Sequence, residues 1–138
     1  MGVSLHIQAA LEVVCQHLEP LLLPDSSAVL VPRQPWVSIY AEQLTEDLSD
    51  IKELAVPLSG LNEVIVVARH NEIYRFAKGA LQALEPEIPP EIPSEAIAEY
   101  ATVLALSRAG LLPIGSLYLE NEAAKPGLAE FFGRSRDE

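Results

Sequence analysis

The chain is poor in several things, and each scarcity narrows what it can be. It holds one cysteine, Cys15, among 138 residues. No internal disulfide can form, which fits a reducing, cytoplasmic setting. Basic side chains are scarce: nine Lys and Arg stand against twenty Asp and Glu, a formal net charge of −11. Residues 1–68 carry two of them, Arg33 and Lys52, against nine acidic residues. Such a surface repels nucleic acid and anionic membrane, so neither is expected as a partner. No apolar run is long: the stretch Ala96 to Leu106 is interrupted by Glu99 and is too short to span a bilayer. The opening residues, Met1-Gly2-Val3-Ser4-Leu5-His6, have no basic region followed by a cleavage site, and position 6 does not fit a myristoylation signal.

Chemical motifs are equally sparse. No Gly-x-Gly-x-x-Gly, Gly-Lys-Ser/Thr or Gly-x-Ser-x-Gly occurs, so the sequence offers no phosphate cradle and no serine elbow. The three histidines, His6, His17 and His70, do not cluster in sequence. On a single helix His6 and His17 would lie roughly 16 Å apart along the axis, too far to share a metal. Cys15 reads as mid-helix and apolar, without a base beside it, hence as a packing residue. No cofactor, no metal site and no catalytic residue is expected.

What the chain does have is 49% hydrophobic residues and eleven prolines. That is enough for one core, in one domain over residues 1–132 with a polar tail at 133–138. Ile7, Ala10, Leu11, Val14, Leu18 and Leu21 recur at three- and four-residue spacing, which predicts a helix from a Ser4 cap to about Glu19. Ala28–Val31 and Trp36–Tyr40 flank Pro32-Arg33-Gln34-Pro35 and predict a hairpin. On its second strand Val37 and Ile39 point one way, and Trp36, Ser38 and Tyr40 the other. Thr45-Glu46-Asp47 opens a helix carrying Leu44, Leu48, Ile51 and Ala55, ended by Pro57 and Gly60. Glu63 to Phe76 predicts a second hairpin turning at Arg69-His70-Asn71. A short helix is expected from Ala77 to Leu84.

The segment Pro-Glu-Ile-Pro-Pro-Glu-Ile-Pro, residues 86–93, is expected to be an extended connector with Ile88 and Ile92 turned inward. Ser94 then caps a helix near 95–109, apolar on nearly every face and so expected to be buried. Ser116–Leu119 reads as a late strand and Pro126–Phe132 as a terminal helix. The expected fold is α+β: a small antiparallel sheet built from two hairpins and covered by helices. A mostly helical protein with the β-rich runs as buried loops is the alternative.

Three surfaces stand out as candidate sites. Glu42, Glu46, Asp47, Asp50 and Glu53 form an acidic face suited to a basic protein partner. Arg69, His70, Arg75 and Lys78 form a small basic cluster, with Tyr74 beside it, able to hold an anion or to balance Glu63 and Glu72. Leu128, Phe131 and Phe132 offer an apolar contact. In size, acidity and helix–strand alternation the chain is similar to the small acidic secretion chaperones, a likeness of composition that covers no motif and carries no residue over. The functional expectation is a non-enzymatic protein-binding module (adaptor, chaperone-like or regulatory), docking a partner or a second copy of itself. A small enzyme or anion-binding domain around Arg69, His70 and Arg75, and an acidic inhibitor of a basic partner, are the alternatives.

Overall fold

Strict alternation governs the centre of the molecule. The computed structural model describes residues 2–68 and 72–121. Ser4–Ile7 forms strand β1, and all four of its residues are buried. It is followed by helix α1 (Leu11–Leu18), strands β2 (Ser27–Arg33) and β3 (Trp36–Ala41), helix α2 (Leu48–Leu58) and strands β4 (Val64–Val67), β5 (Ile73–Ala77) and β6 (Ala80–Glu85). Helix α3 (Tyr100–Arg108) and strand β7 (Leu117–Glu120) complete it. The seven strands make one open antiparallel sheet in the order β6-β5-β4-β1-β3-β2-β7, and with the helices the fold is mixed α+β.

β1 corrects the expectation of a helix starting at Ser4. The helical spacing of Ile7, Ala10, Leu11 and Val14 is real only from Leu11 onward. Before it, Ser4-Leu5-His6-Ile7 alternates polar and apolar, the period of a strand. β1 sits between β3 and β4, with His6 opposite both Ser38 and Ile65. Its Leu5 and Ile7 join one face of the sheet, and Ser4 and His6 the other. The helix start at Thr45 also shifts. Asp47 is the N-cap of α2, its carboxylate accepting from the Ser49 backbone N–H at 2.9 Å. Thr45 instead accepts from the Asp47 N–H and donates to Asp50.

The helix expected over Ala77–Leu84 is a hairpin. Lys78 and Gly79 both have positive φ, 53° and 81°. Two left-handed residues in succession fit a two-residue turn whose twist matches the strands it joins. The turn is held from outside: Ser59, the C-cap of α2, accepts from the Lys78 N–H through its carbonyl and from the Gly79 N–H through its hydroxyl. The sheet therefore has three more strands than two hairpins supply. Within β6 the pairing to β5 slips between Arg75 and Phe76, so that Leu84 faces Tyr74, Ala83 faces Arg75 and Leu81 faces Phe76. Gln82 is the extra residue of a bulge, which brings Leu81 and Leu84 to the same face.

One face of the sheet is aliphatic and packs against residues of α1 and α2. Leu5, Ile7, Leu30, Val37, Ile39, Val64, Val66 and Phe76 meet Val14 and Leu18 of α1 and Ile51, Leu54, Ala55 and Leu58 of α2. Each such side chain contributes about 1.5–3 kcal/mol by leaving water. The opposite face has two smaller apolar groups. Trp36, Ile65, Val67 and Ile73 lie under Ile92 and Ala96, with Ile88 and Ile97 alongside. Val29, Val31 and Tyr40 lie under Val103 of α3. The proline-rich residues 86–93 form neither helix nor strand, and Ile92 points inward as the sequence implies.

The buried helix expected near 95–109 is overturned. Ser94–Ala96 is a short 3-10 turn, and α3 starts only at Tyr100 after an extended Glu99. Val103 is its one fully buried residue. Much of its apolar content is alanine and leucine lying in the open, because α3 rests on β2 and β3 near the sheet's margin with nothing above it among the described residues.

Candidate functional site

Between the two apolar groups of the second face runs a polar seam. Ser4 and His6 on β1 and Ser38 on β3 all point into it, and all are buried. The His6 ring bonds to Ser38 Oγ through Nδ1 at 2.8 Å and to Ser4 Oγ through Nε2 at 2.9 Å. A neutral imidazole has one N–H and one lone pair, so one serine accepts from the ring and the other donates to it. Burial, with the Arg33 charge nearby, lowers the His6 pKa to about 3. His6 is therefore uncharged across the physiological range, a buried hydrogen-bonding spacer between two serines.

Arg33 and Trp36 close one end of the seam. They are direct partners across the two-residue Gln34–Pro35 loop, so both side chains leave the same face. The guanidinium of Arg33 then runs along the sheet, and its Nη2 donates to Tyr40 Oη at 3.3 Å. Tyr40 Oη donates in turn to the Ala96 carbonyl at 2.6 Å. Two donors in this group have no partner: Arg33 Nε and Trp36 Nε1 are both buried and both unbonded. Trp36 is only 6% exposed. A buried N–H left without an acceptor costs about 1–3 kcal/mol; among the described residues Ser26 Oγ is the other buried side-chain atom without a partner, and it stands alone, whereas these two lie on directly paired residues.

The other arginine within a strand is arranged in the opposite way. Arg75 on β5 donates through Nε to Glu85 at 2.7 Å and through Nη1 to Glu63 at 2.5 Å. The bond to Glu85 above all, with Glu63 adding to it, raises the Arg75 pKa against the opposing effect of burial. This is the charge balance across strands weighed for the basic cluster, although Glu72 instead accepts from the Tyr74 hydroxyl. Burial, helped by Glu72, pushes the Tyr74 pKa up. Lys78 is exposed in the β5–β6 turn. Arg69 and His70 lie outside the described residues, as does Asn71.

The acidic face splits into separate local roles. Asp47 caps α2, and that bond to Ser49 holds its carboxyl below the usual range. Asp50 accepts from Thr45, and Glu42 accepts from Ser27 Oγ at 3.3 Å. Glu53 is exposed and Glu46 half-buried. Among the described residues no group of three or more His, Cys, Asp or Glu could hold a metal ion, and no helix is long and apolar enough to cross a membrane. The three apolar candidates Leu128, Phe131 and Phe132 lie outside the described residues.

His17 and His6 do not share a helix. His17 is on α1, where its ring N–H donates to the Val13 carbonyl, and His6 is in the sheet. Cys15 packs half-buried against the aliphatic core, and burial, with Glu19 nearby, pushes its thiol pKa up, away from the reactive thiolate. Sequence reasoning missed the seam altogether. Its signal was the period-two alternation of Ser4-Leu5-His6-Ile7, which matches Trp36, Ser38 and Tyr40 on β3.

The second feature that bears on function is β6. It is a sheet edge, and residues 80–84 are all exposed. Leu84 is 68% and Leu81 36% exposed. From Ala80 to Leu84 the strand carries no charge. The far edge, β7, is four residues long, and its end is tied down: Asn121 exchanges backbone bonds with Asp25 and Ser26. No family model, no curated protein and no solved structure matches this chain.

Proposed function

We propose that the protein is a non-enzymatic protein-binding module that takes an extended segment of a partner onto β6. The observation that carries this reading is the edge strand β6, uncharged from Ala80 to Leu84, with two leucines in the open. An unpaired strand edge offers a row of N–H and C=O groups to another chain, and natural edges are usually protected by charge or proline. Leu81 and Leu84 sit on one face through the Gln82 bulge, so they supply adjacent apolar contacts beside the backbone ladder. The partner segment would be basic as well as extended. Glu87 is exposed just beyond the strand, Glu85 and Glu63 are already held by Arg75, and the whole chain is acidic. Long-range attraction of that kind speeds encounter and weakens with salt.

The test is a comparison of capture. Wild type and an L81K/L84K double variant are used as baits in lysate of the native cell, and captured proteins are identified by mass spectrometry. A protein retained by the wild type and lost by the folded variant supports the reading, and its binding should fall with added salt. Identical capture by the two baits removes β6 as the contact. An enzyme built on Arg69, His70 and Arg75 finds less support, because both hydrogen-bonded edges of the Arg75 guanidinium are committed to carboxylates.

A further inference from the structure

We infer that Arg33 and Trp36 form a binding site for a monocarboxylate, received by the Arg33 Nε–H and the Trp36 Nε1–H beneath the strap formed by residues 86–98. Nothing in this proposal rests on the β6 reading. It starts from two buried donors with no acceptor, on residues that face each other directly across β2 and β3. A single such group is an isolated cost. Two on directly paired residues of one face, one of them cationic, supply the donors that the two oxygens of a carboxylate can accept from.

Charge fixes the class of ligand. Among the described residues no carboxylate pairs with Arg33, whereas Arg75 has two. The groups facing Arg33 are the Tyr40 hydroxyl and the neutral His6, so one positive charge lies in the seam without a counter-ion. Arg33 is half-buried with its Nε enclosed, and one positive charge is matched by one negative charge. A dianion such as sulfate or phosphate would bring a second that stays unpaired against an apolar lining, at a desolvation cost. The walls fix the rest: Ile65, Val67, Ile73, Ile92 and Ala96 gather around the indole. A carboxylate with a short apolar body suits that lining better than a fully hydrated ion.

Entry requires the strap to lift, and the strap is lightly tied. Its backbone bonds run within itself: Ile92 N–H to Pro89, Ala96 N–H to Pro93 and Ile97 N–H to Ser94. Among the described residues one hydrogen bond joins it to the sheet, from Tyr40 Oη to the Ala96 carbonyl. What otherwise holds it is the burial of Ile92 and Ala96. Tyr40 contacts both the strap and Arg33, so a ligand that reorients the guanidinium is felt by the cover.

Trp36 is the chain's one tryptophan, which makes the test direct. The indole N–H resonance of nitrogen-15-labelled full-length protein is followed during titration with propionate, with sodium chloride at matched ionic strength as control. The expected result is a saturable shift with propionate and none with chloride, accompanied by a higher Tm. Sulfate should shift it at least tenfold less effectively. In R33K, which keeps the charge and loses the Nε–H, the propionate affinity should fall at least tenfold, about 1.4 kcal/mol, with an unchanged far-UV spectrum. A short peptide with a free C-terminus, set against its amidated form, tells a chain terminus from a free acid as the natural source. The proposal is overturned if the indole resonance of the folded wild type does not move with propionate or with the free-terminus peptide, the two N–H groups then holding water only. It is equally overturned if R33K responds as the wild type does.

Discussion

The two faces of the sheet are built on different terms. Against α1 and α2 the core is one continuous apolar cluster, into which both helices set aliphatic side chains such as Leu18, Ile51 and Leu54. Under the strap and α3 the core is divided: one apolar group around Trp36, another around Tyr40, and a seam of Ser4, His6 and Ser38 between them. The first face obtains its stability from area. The second gives some of that up to bury hydrogen-bonding groups, and these specify a geometry more than they add stability.

The sharpest way to break this comparison is to empty one face. Phe76→Ala on the aliphatic side removes a fully buried ring and should cost about 3–5 kcal/mol, read from the midpoint of urea unfolding. If the loss is below about 1 kcal/mol, the face is less tightly packed than its burial implies. Acid is next in size and acts on the other face. His6 has a folded pKa of about 3 against an ordinary value of 6.5. Between those values the unfolded chain takes up the proton and the folded chain does not, so stability is complete above about pH 6.5 and drains away as pH falls toward 3. The slope approaches about 1.4 kcal/mol per pH unit from this group alone. H6Q should lower stability at pH 7 and flatten that slope, as seen in urea midpoints across the pH range. An unchanged slope would separate His6 from the acid response.

Ser38→Ala leaves a His6 nitrogen buried without its partner and should cost about 1–3 kcal/mol, more than a serine-to-alanine change at an exposed site. Tyr40→Phe cuts the tie between strap and sheet. It should lose about 1 kcal/mol and speed hydrogen exchange at the Ile92 and Ala96 amides, while the amides of α2 exchange as before. Equal acceleration of α2 would mean that the two covers move as one. The smallest effect belongs to Arg75→Gln, below about 1 kcal/mol, because that ion pair lies at the half-exposed margin where water competes.

The residues differ in how openly they announced these roles. The hairpin β2–β3 was legible because β-branched runs flank a proline-rich loop, and the division of Trp36, Ser38 and Tyr40 from Val37 and Ile39 followed from alternation alone. The α+β class and the seven-stranded sheet's late member β7 were within reach for the same reason. β1 was not, since four residues are too few to show a period when the next apolar residues happen to continue at helical spacing. β6 was hidden by Gly79, read as a weak point in a helix when it is half of a left-handed turn. The seam was invisible for a different reason. Burial of Ser4, His6 and Ser38 depends on which strands become neighbours, and His6 meets Ser38 across 32 residues of chain. The unpaired state of Arg33 and Trp36 is likewise a property of what fails to lie nearby, which no local pattern records.

The position of β1 has a consequence for assembly. The strand that precedes its two neighbours in the chain is the middle of the finished sheet, flanked by strands that end at residues 41 and 67. One of its sides stays open until β4 has formed. Deleting residues 4–7 would consequently remove the keystone between the two halves, leaving β3 and β4 each with a bare edge where a neighbour belongs.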